Sequence, residues 1–151
     1  MELSRKALEI KSSITLEIDT KAKEMKAEGC DVVGFGAGEP DFNTPNVIIE
    51  AAKEALDNHH TRYTPVSGIL ELRKAICKKL QNDNELIYNP NQILVSNGAK
   101  HSIYNALQAI LNPGDEVIIP SPYWVSYPDI VRLGGGESVF LETKEENNFA
   151  I

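Results

Sequence analysis

From Gln92 to Leu141 the chain alternates short β-branched runs with amphipathic ones, and this alternation constrains the fold more than any other feature. Gln92–Ser96, Glu116–Ile119 and Glu137–Leu141 read as strands, because β-branched side chains suit the pleated, half-covered surface of a sheet. After the tight turn Asn97-Gly98-Ala99, residues Ile103, Leu107, Ile110 and Leu111 recur at helical spacing. Asn112-Pro113-Gly114-Asp115 is a turn, Ser121-Pro122 starts a helix running from Tyr123 to about Leu133, and Gly134-Gly135-Gly136 ends it. Strand, helix, strand, helix, strand predicts a βαβαβ unit with parallel strands and right-handed crossovers. The fold class is therefore α/β, a mostly parallel sheet flanked by helices. Such sheets normally lie buried, and three strands leave two open edges. The chain thus reads as an incomplete piece of something longer.

Upstream, Ser13–Glu28 reads as a helix stopped by Gly29, although Ile14, Leu16 and Ile18 alternate in strand fashion. Asp31–Gly34 is a short apolar run, expected to be a strand. Gly36-Ala37-Gly38-Glu39-Pro40-Asp41-Phe42-Asn43 is too rich in Gly, Pro and Asp to be other than loop. Thr44-Pro45 reads as cap and first position of a helix reaching about Asn58. Ser67 is placed to cap a helix carrying Ile69, Leu72, Ile76 and Leu80. Asn89-Pro90-Asn91 is a break.

The 151 residues carry a net charge of −7. That balance opposes a sequence-independent grip on nucleic acid and an anionic membrane as partner. No apolar run approaches the length of a membrane span. Met1–Lys11 has no apolar stretch of the secretory kind. Cys30 and Cys77 lack metal-like spacing and read as free thiols of a reducing cytosol. His59, His60 and His101 have no ligand-spaced partner, so no metal is expected.

Three segments are candidates for chemistry. Ser96-Asn97-Gly98-Ala99-Lys100 joins a strand to a helix. A helix start presents free N–H groups and a partial positive charge, which suits a phosphate, and Gly98 and Ala99 add no bulk. The same residues also fit an ordinary turn capped by Asn97, with Lys100 facing solvent or a partner. Gly34-Phe35-Gly36-Ala37-Gly38 resembles a dinucleotide loop, but the last glycine comes one residue early and Pro40 blocks direct entry to a helix. A loop whose N–H groups meet a small carboxylate fits better. Ser121-Pro122-Tyr123-Trp124-Val125-Ser126-Tyr127 puts the sole tryptophan just after a strand, where ligands of α/β sheets bind. Trp124 fits either a core role or stacking on a planar ring.

Taken in order, several segments resemble the N-terminal part of a fold-type-I pyridoxal-phosphate aminotransferase, of the bacterial aspartate aminotransferase group. They are Ala37-Gly38-Glu39-Pro40-Asp41-Phe42-Asn43-Thr44-Pro45, Arg62-Tyr63-Thr64-Pro65-Val66-Ser67-Gly68, Glu71-Leu72-Arg73, Ser96–Lys100, Asn112–Val117 and Ser121–Tyr127. Each is weak alone; their shared order from about Leu3 to Leu141 is specific. The resemblance implies that backbone N–H groups of Gly98, Ala99 and Lys100 hold the cofactor phosphate. It implies that Trp124 stacks on the pyridine ring and also borders the substrate. Tyr63 would reach the phosphate from the neighbouring subunit of a homodimer, and Gly38 would offer a backbone donor near the substrate carboxylate. Residues 1–43 would form an N-terminal arm and small-domain segment, and 44–151 the first, truncated part of a large cofactor-binding domain.

The implied activity is amino-group transfer between an L-amino acid, aspartate foremost, and a 2-oxo acid, 2-oxoglutarate, in the cytoplasm. Transamination needs a Schiff-base lysine, an acidic partner for the pyridine nitrogen and an arginine fork. In the family all three lie beyond the equivalent of Ile151, so no catalytic residue is assigned here and the 151 residues alone are expected to be inactive. Aromatic or prephenate-type substrates, a cofactor-binding regulator and a noncatalytic dimerisation module are the rival readings.

Overall fold

The computed structural model describes residues 2–4, 7, 8, 10, 12–36 and 38–151. Met1, Arg5, Lys6, Glu9 and Lys11, in the stretch that lacks a secretory pattern, and Ala37, in the expected glycine-rich loop, lie outside the described residues. The chain divides into two compact units, Met1–Asn43 with Leu107–Ile151, and Thr44–Ala106. Among the described residues no helix is long and apolar enough to cross a membrane.

In the first unit, helix α1 spans Ile14–Ala27. Its half-covered residues Thr15, Asp19, Ala22 and Met25 follow the helical repeat, while Ile14, Leu16 and Ile18 are exposed. The 3.6-residue period thus outweighs the local alternation. Gly29, at φ +87°, closes the helix, with the Cys30 N–H donating to the Met25 carbonyl at 3.0 Å. Asp31–Gly34 does not form a strand: the described sheet has two strands and neither pairs with this segment.

The sheet consists of β1, Glu116–Ser121, and β2, Glu137–Glu142, parallel and in register from Glu116 opposite Glu137 to Ser121 opposite Glu142. Helix α5, Ser126–Gly134, connects them. The buried residues of the described chain are Ile119 on β1 and Ile130 and Val131 on α5. Burying an aliphatic side chain of this size stabilises by about 1.5–3 kcal/mol. The opposite face of the ladder stays exposed at Ile118 and Val139. The Asn112–Asp115 turn is tied at both ends. The Asp115 carboxylate accepts from the Asn112 backbone N–H at 2.7 Å, and the Asp115 carbonyl accepts from Glu137 N–H at 2.8 Å.

The α/β class with a parallel sheet stands, but its extent is smaller than the sequence suggests. The βαβαβ unit reduces to β1–α5–β2. Residues 93–96 run extended, with Ile93 at φ −106° and ψ 127°, yet a strand needs a ladder partner. The backbone bond this run makes to a distant segment is Val95 N–H to Ser67 carbonyl, 3.1 Å. Helix α5 begins at Ser126 and not Tyr123, because Ser121 is still held in β1; its hydroxyl donates to the Leu141 carbonyl at 3.3 Å.

In the second unit lie α2, Asn46–Asp57, and α3, Leu70–Asn84, then a short 3-10 turn at Pro90–Gln92. Helix α4, Ala99–Ile110, starts in this unit and ends in the first. The expected caps shift by one or two residues. Pro45 and Ile69 occupy the positions preceding α2 and α3, and neither makes a side-chain cap bond. Thr44 and Ser67 therefore do not serve as caps. No described residue of this unit is buried.

Candidate functional site

The turn at the start of α4 is built around Gly98, whose φ of +87° a β-carbon-bearing residue adopts only under strain. A Cβ placed there would meet nothing within 4 Å, so the demand comes from the backbone and the space in front of it is open. Gly98 N–H donates to the Ser96 carbonyl at 2.9 Å, and Ser102 N–H closes the first helical bond onto the Gly98 carbonyl at 3.2 Å. Gly98, not Asn97, is thus the residue preceding the helix. Asn97 engages through its own backbone N–H, which donates to Nδ1 of His101 at 3.1 Å. The first helical residues, Ala99, Lys100 and His101, precede any in-helix acceptor for their N–H groups. All are exposed at the surface. A helix start of this form is chemically able to accept an anion.

Tyr63 belongs to the same unit. It is fully exposed in the loop between α2 and α3 and lines an open depression with Thr61 and Arg62. The far end of that loop is fixed firmly. Gly68 has φ +95°, and a Cβ there would sit 2.5 Å from Val95 Cγ2. The Arg73 guanidinium donates through Nε to the Gly68 carbonyl at 3.1 Å and through Nη1 to the Pro90 carbonyl at 2.9 Å.

Trp124 and Gly38 belong to the other unit. Trp124 stands just past the C-terminal end of β1, after a cis Ser121–Pro122 peptide bond. It is 42% exposed and meets Tyr127 edge-on, ring centroids 5.5 Å apart at 87°. Neighbouring Tyr123 stacks on Phe140 at 5.1 Å and 22°. The Thr143 hydroxyl donates to the Ser121 carbonyl, so the strand end that carries these aromatics is clamped to β2 and the residue after it. Within the described residues the indole is thus partly covered and partly exposed. Gly38 is exposed, and a Cβ on it would meet nothing within 4 Å. Gly36 packs instead, its Cβ position lying 2.9 Å from Ile18 Cγ2.

Among the described residues no cluster of three or more His, Cys, Asp or Glu could hold a metal ion, and Cys30 and Cys77 are both free thiols. Two contributors carry no sequence-assigned role. Arg73 lies within the Glu71-Leu72-Arg73 segment, but its partners are main-chain carbonyls that no side-chain pattern reveals. His101 is legible in hindsight: a polar residue at the third helical position can reach back to the residues before the helix, as in a capping box.

Residues 30–151 match the family model described as aminotransferase class I and II. The aspartate aminotransferase of Bacillus subtilis is 52% identical over 151 residues, which is 100% of this chain and 38% of the relative. The aspartate/prephenate aminotransferase of Cereibacter sphaeroides is 52% identical over 149 residues, 99% of this chain and 37% of the relative. Among solved structures, the Thermus thermophilus aspartate aminotransferase with maleate superposes with a TM-score of 0.96 at 46% identity, covering 100% of this chain and 40% of that one. The chain therefore spans about 38% of the length of the curated relatives it matches. With a family match over residues 30–151 and this degree of identity, the chain belongs to the aminotransferase class I and II family.

Proposed function

We propose that the complete protein is a pyridoxal-phosphate-dependent aminotransferase acting on aspartate and 2-oxoglutarate, and that this chain is its N-terminal portion. The observation that carries the reading is the open, left-handed glycine turn at Gly98, in a chain whose relatives are named aspartate and aspartate/prephenate aminotransferases. The donor chemistry fits the cofactor. A helix start with open space before it suits a phosphate dianion, and a half-exposed indole at a strand end suits a flat heteroaromatic ring.

Of the N–H groups of Gly98, Ala99 and Lys100 assigned to the phosphate, that of Gly98 donates to the Ser96 carbonyl, so in this reading those of Ala99 and Lys100 bind the phosphate, and Trp124 keeps water off one face of the ring. Tyr63 donates its hydroxyl to the phosphate of the neighbouring subunit in a homodimer. Gly38 offers its N–H to the substrate carboxylate. When bound, pyridoxal phosphate supplies an electron sink beside the reacting Cα. The lysine that anchors it covalently, its acidic partner and the carboxylate-binding arginine belong to the remainder of the protein. Residues 1–43 form the arm and small-domain segment, and 44–151 the opening part of the cofactor domain. The free Cys30 and Cys77 suit a reducing cytoplasm.

The test is direct. The full-length protein, purified and dialysed with pyridoxal phosphate, should retain it and form oxaloacetate from aspartate and 2-oxoglutarate. Comparing oxaloacetate with prephenate as acceptors of the amino group of glutamate defines the acceptor. A full-length protein that neither retains the cofactor nor transfers an amino group from aspartate or glutamate overturns the reading.

A further inference from the structure

We infer that Arg73 is a positioning residue that couples the Tyr63 loop to the Gly98 turn, so that one guanidinium sets the geometry of both phosphate-facing segments. The inference rests on the function proposed above.

Within the Thr44–Ala106 unit, two segments approach the phosphate role from different directions in the sequence. One is the loop Arg62–Gly68, which carries Tyr63. The other is the run 93–98, which leads into the helix start. These segments are joined directly at two places. Val95 N–H donates to the Ser67 carbonyl at 3.1 Å. Gly68 lies so close to Val95 that a Cβ would fall 2.5 Å from Val95 Cγ2. The Arg73 side chain then ties the loop to the turn ahead of residues 93–98, with Nε on the Gly68 carbonyl at 3.1 Å and Nη1 on the Pro90 carbonyl at 2.9 Å. Pro90 opens the 3-10 turn that delivers residues 93–98.

The chemistry of the bridge is specific. The planar fork offers several donors in fixed directions. It therefore holds two carbonyls at a set separation, which a lysine, with one ammonium, does less well. Arg73 sits on α3, partly buried, and emerges from a regular helix, so its own base does not move with the loops. Among the described residues its hydrogen bonds go to main-chain carbonyls, those of Gly68 and Pro90. If the fork is removed, the Gly68 end of the loop and the Pro90 turn lose a shared anchor. Tyr63 and the N–H groups that follow Gly98 then lose their common frame, and the cost falls on the phosphate rather than on the pyridine ring.

The experiment compares pyridoxal phosphate with pyridoxal, which lacks the phosphate, by calorimetric titration of the full-length apoprotein. In Arg73→Met, loss of charge-assisted bonds of this kind should weaken pyridoxal phosphate binding by about tenfold or more, with pyridoxal binding unchanged. Arg73→Lys should recover part of that loss. Combining Arg73→Met with Tyr63→Phe should weaken binding by less than the product of the separate effects, because both disturb one phosphate contact. Equal weakening of both ligands, or multiplicative effects with Tyr63→Phe, overturns the inference and leaves Arg73 a structural residue only. Should Arg73→Met fail to fold, the phosphate-selective loss in Arg73→Lys alone decides. Failure of the wild type to bind pyridoxal phosphate at all would instead strike the proposed function.

Discussion

The backbone N–H of Asn97 donates to Nδ1 of His101 at 3.1 Å, so a side chain one turn into α4 holds the residue that precedes the Gly98 turn. The bond spans the point where the chain reverses into the helix, and it fixes the approach of residues 96–98. In His101→Ala, loss of a bond of about 1 kcal/mol should speed Asn97 amide exchange about fivefold. An unchanged exchange rate shows that the turn holds without it.

At Gly98 the strain of substitution comes from φ and not from crowding. Gly98→Ala should cost about 1–2 kcal/mol, the penalty of the left-handed region for a residue with a Cβ. Gly98→Asn should cost less, since asparagine tolerates that region. Denaturant midpoints of the three proteins decide the order. Alanine and glycine of equal stability would contradict a left-handed Gly98.

Trp124→Ala in the full-length protein should weaken cofactor retention about three- to tenfold, the value of an aromatic pair beyond its buried area. The motivation is an indole 42% exposed at the end of β1, supported edge-on by Tyr127. An unchanged dissociation constant in a titration removes the stacking role.

Tyr63 is wholly exposed in its loop, as a residue serving a neighbouring subunit must be before the subunits meet. Mixed dimers test this. One subunit carries Tyr63→Phe, and its partner carries a disabled cofactor-anchoring lysine. The remaining intact lysine then faces an unaltered tyrosine from across the interface only if it stands in the Tyr63→Phe subunit. If Tyr63 acts across the interface, that site works at the wild-type rate. Impairment of that site means that Tyr63 serves its own subunit.

Lys23 carries the pH dependence that the structure resolves. Its Nζ donates to the Asp19 carboxylate at 2.7 Å, and that bond and charge raise it above 10.5. A raised cation stabilises the fold below its unfolded value, and this contribution disappears as pH climbs through the folded one. In Asp19→Asn, NMR titration of Lys23 should return to the ordinary value. A midpoint unmoved by that substitution refutes the pairing. The group is exposed, so the effect on stability is small.

What could be read from the sequence followed the strength of its local signals. Helix α2 and the β1–α5–β2 unit were legible because apolar spacing and the Gly134-Gly135-Gly136 stop agreed with each other. Residues 93–96 carry the same β-branched signal, but strandhood depends on a partner, and among the described residues theirs is the Ser67 carbonyl. The Gly98 turn was legible from small residues at a helix start. Arg73 was not, because it acts on carbonyls five and seventeen residues away, and carbonyls belong to every residue alike.

Ile119, Ile130 and Val131, buried among the described residues, lie within the span from β1 to β2. Their burial closes only a short loop, at little entropic cost, so β1–α5–β2 is the segment suited to form first when the chain folds. It should also be the last to open. Amide exchange would then grade outward from this kernel, and the surface loops carrying Tyr63 and Gly98 would exchange early, leaving them free to settle around a ligand after the scaffold has set.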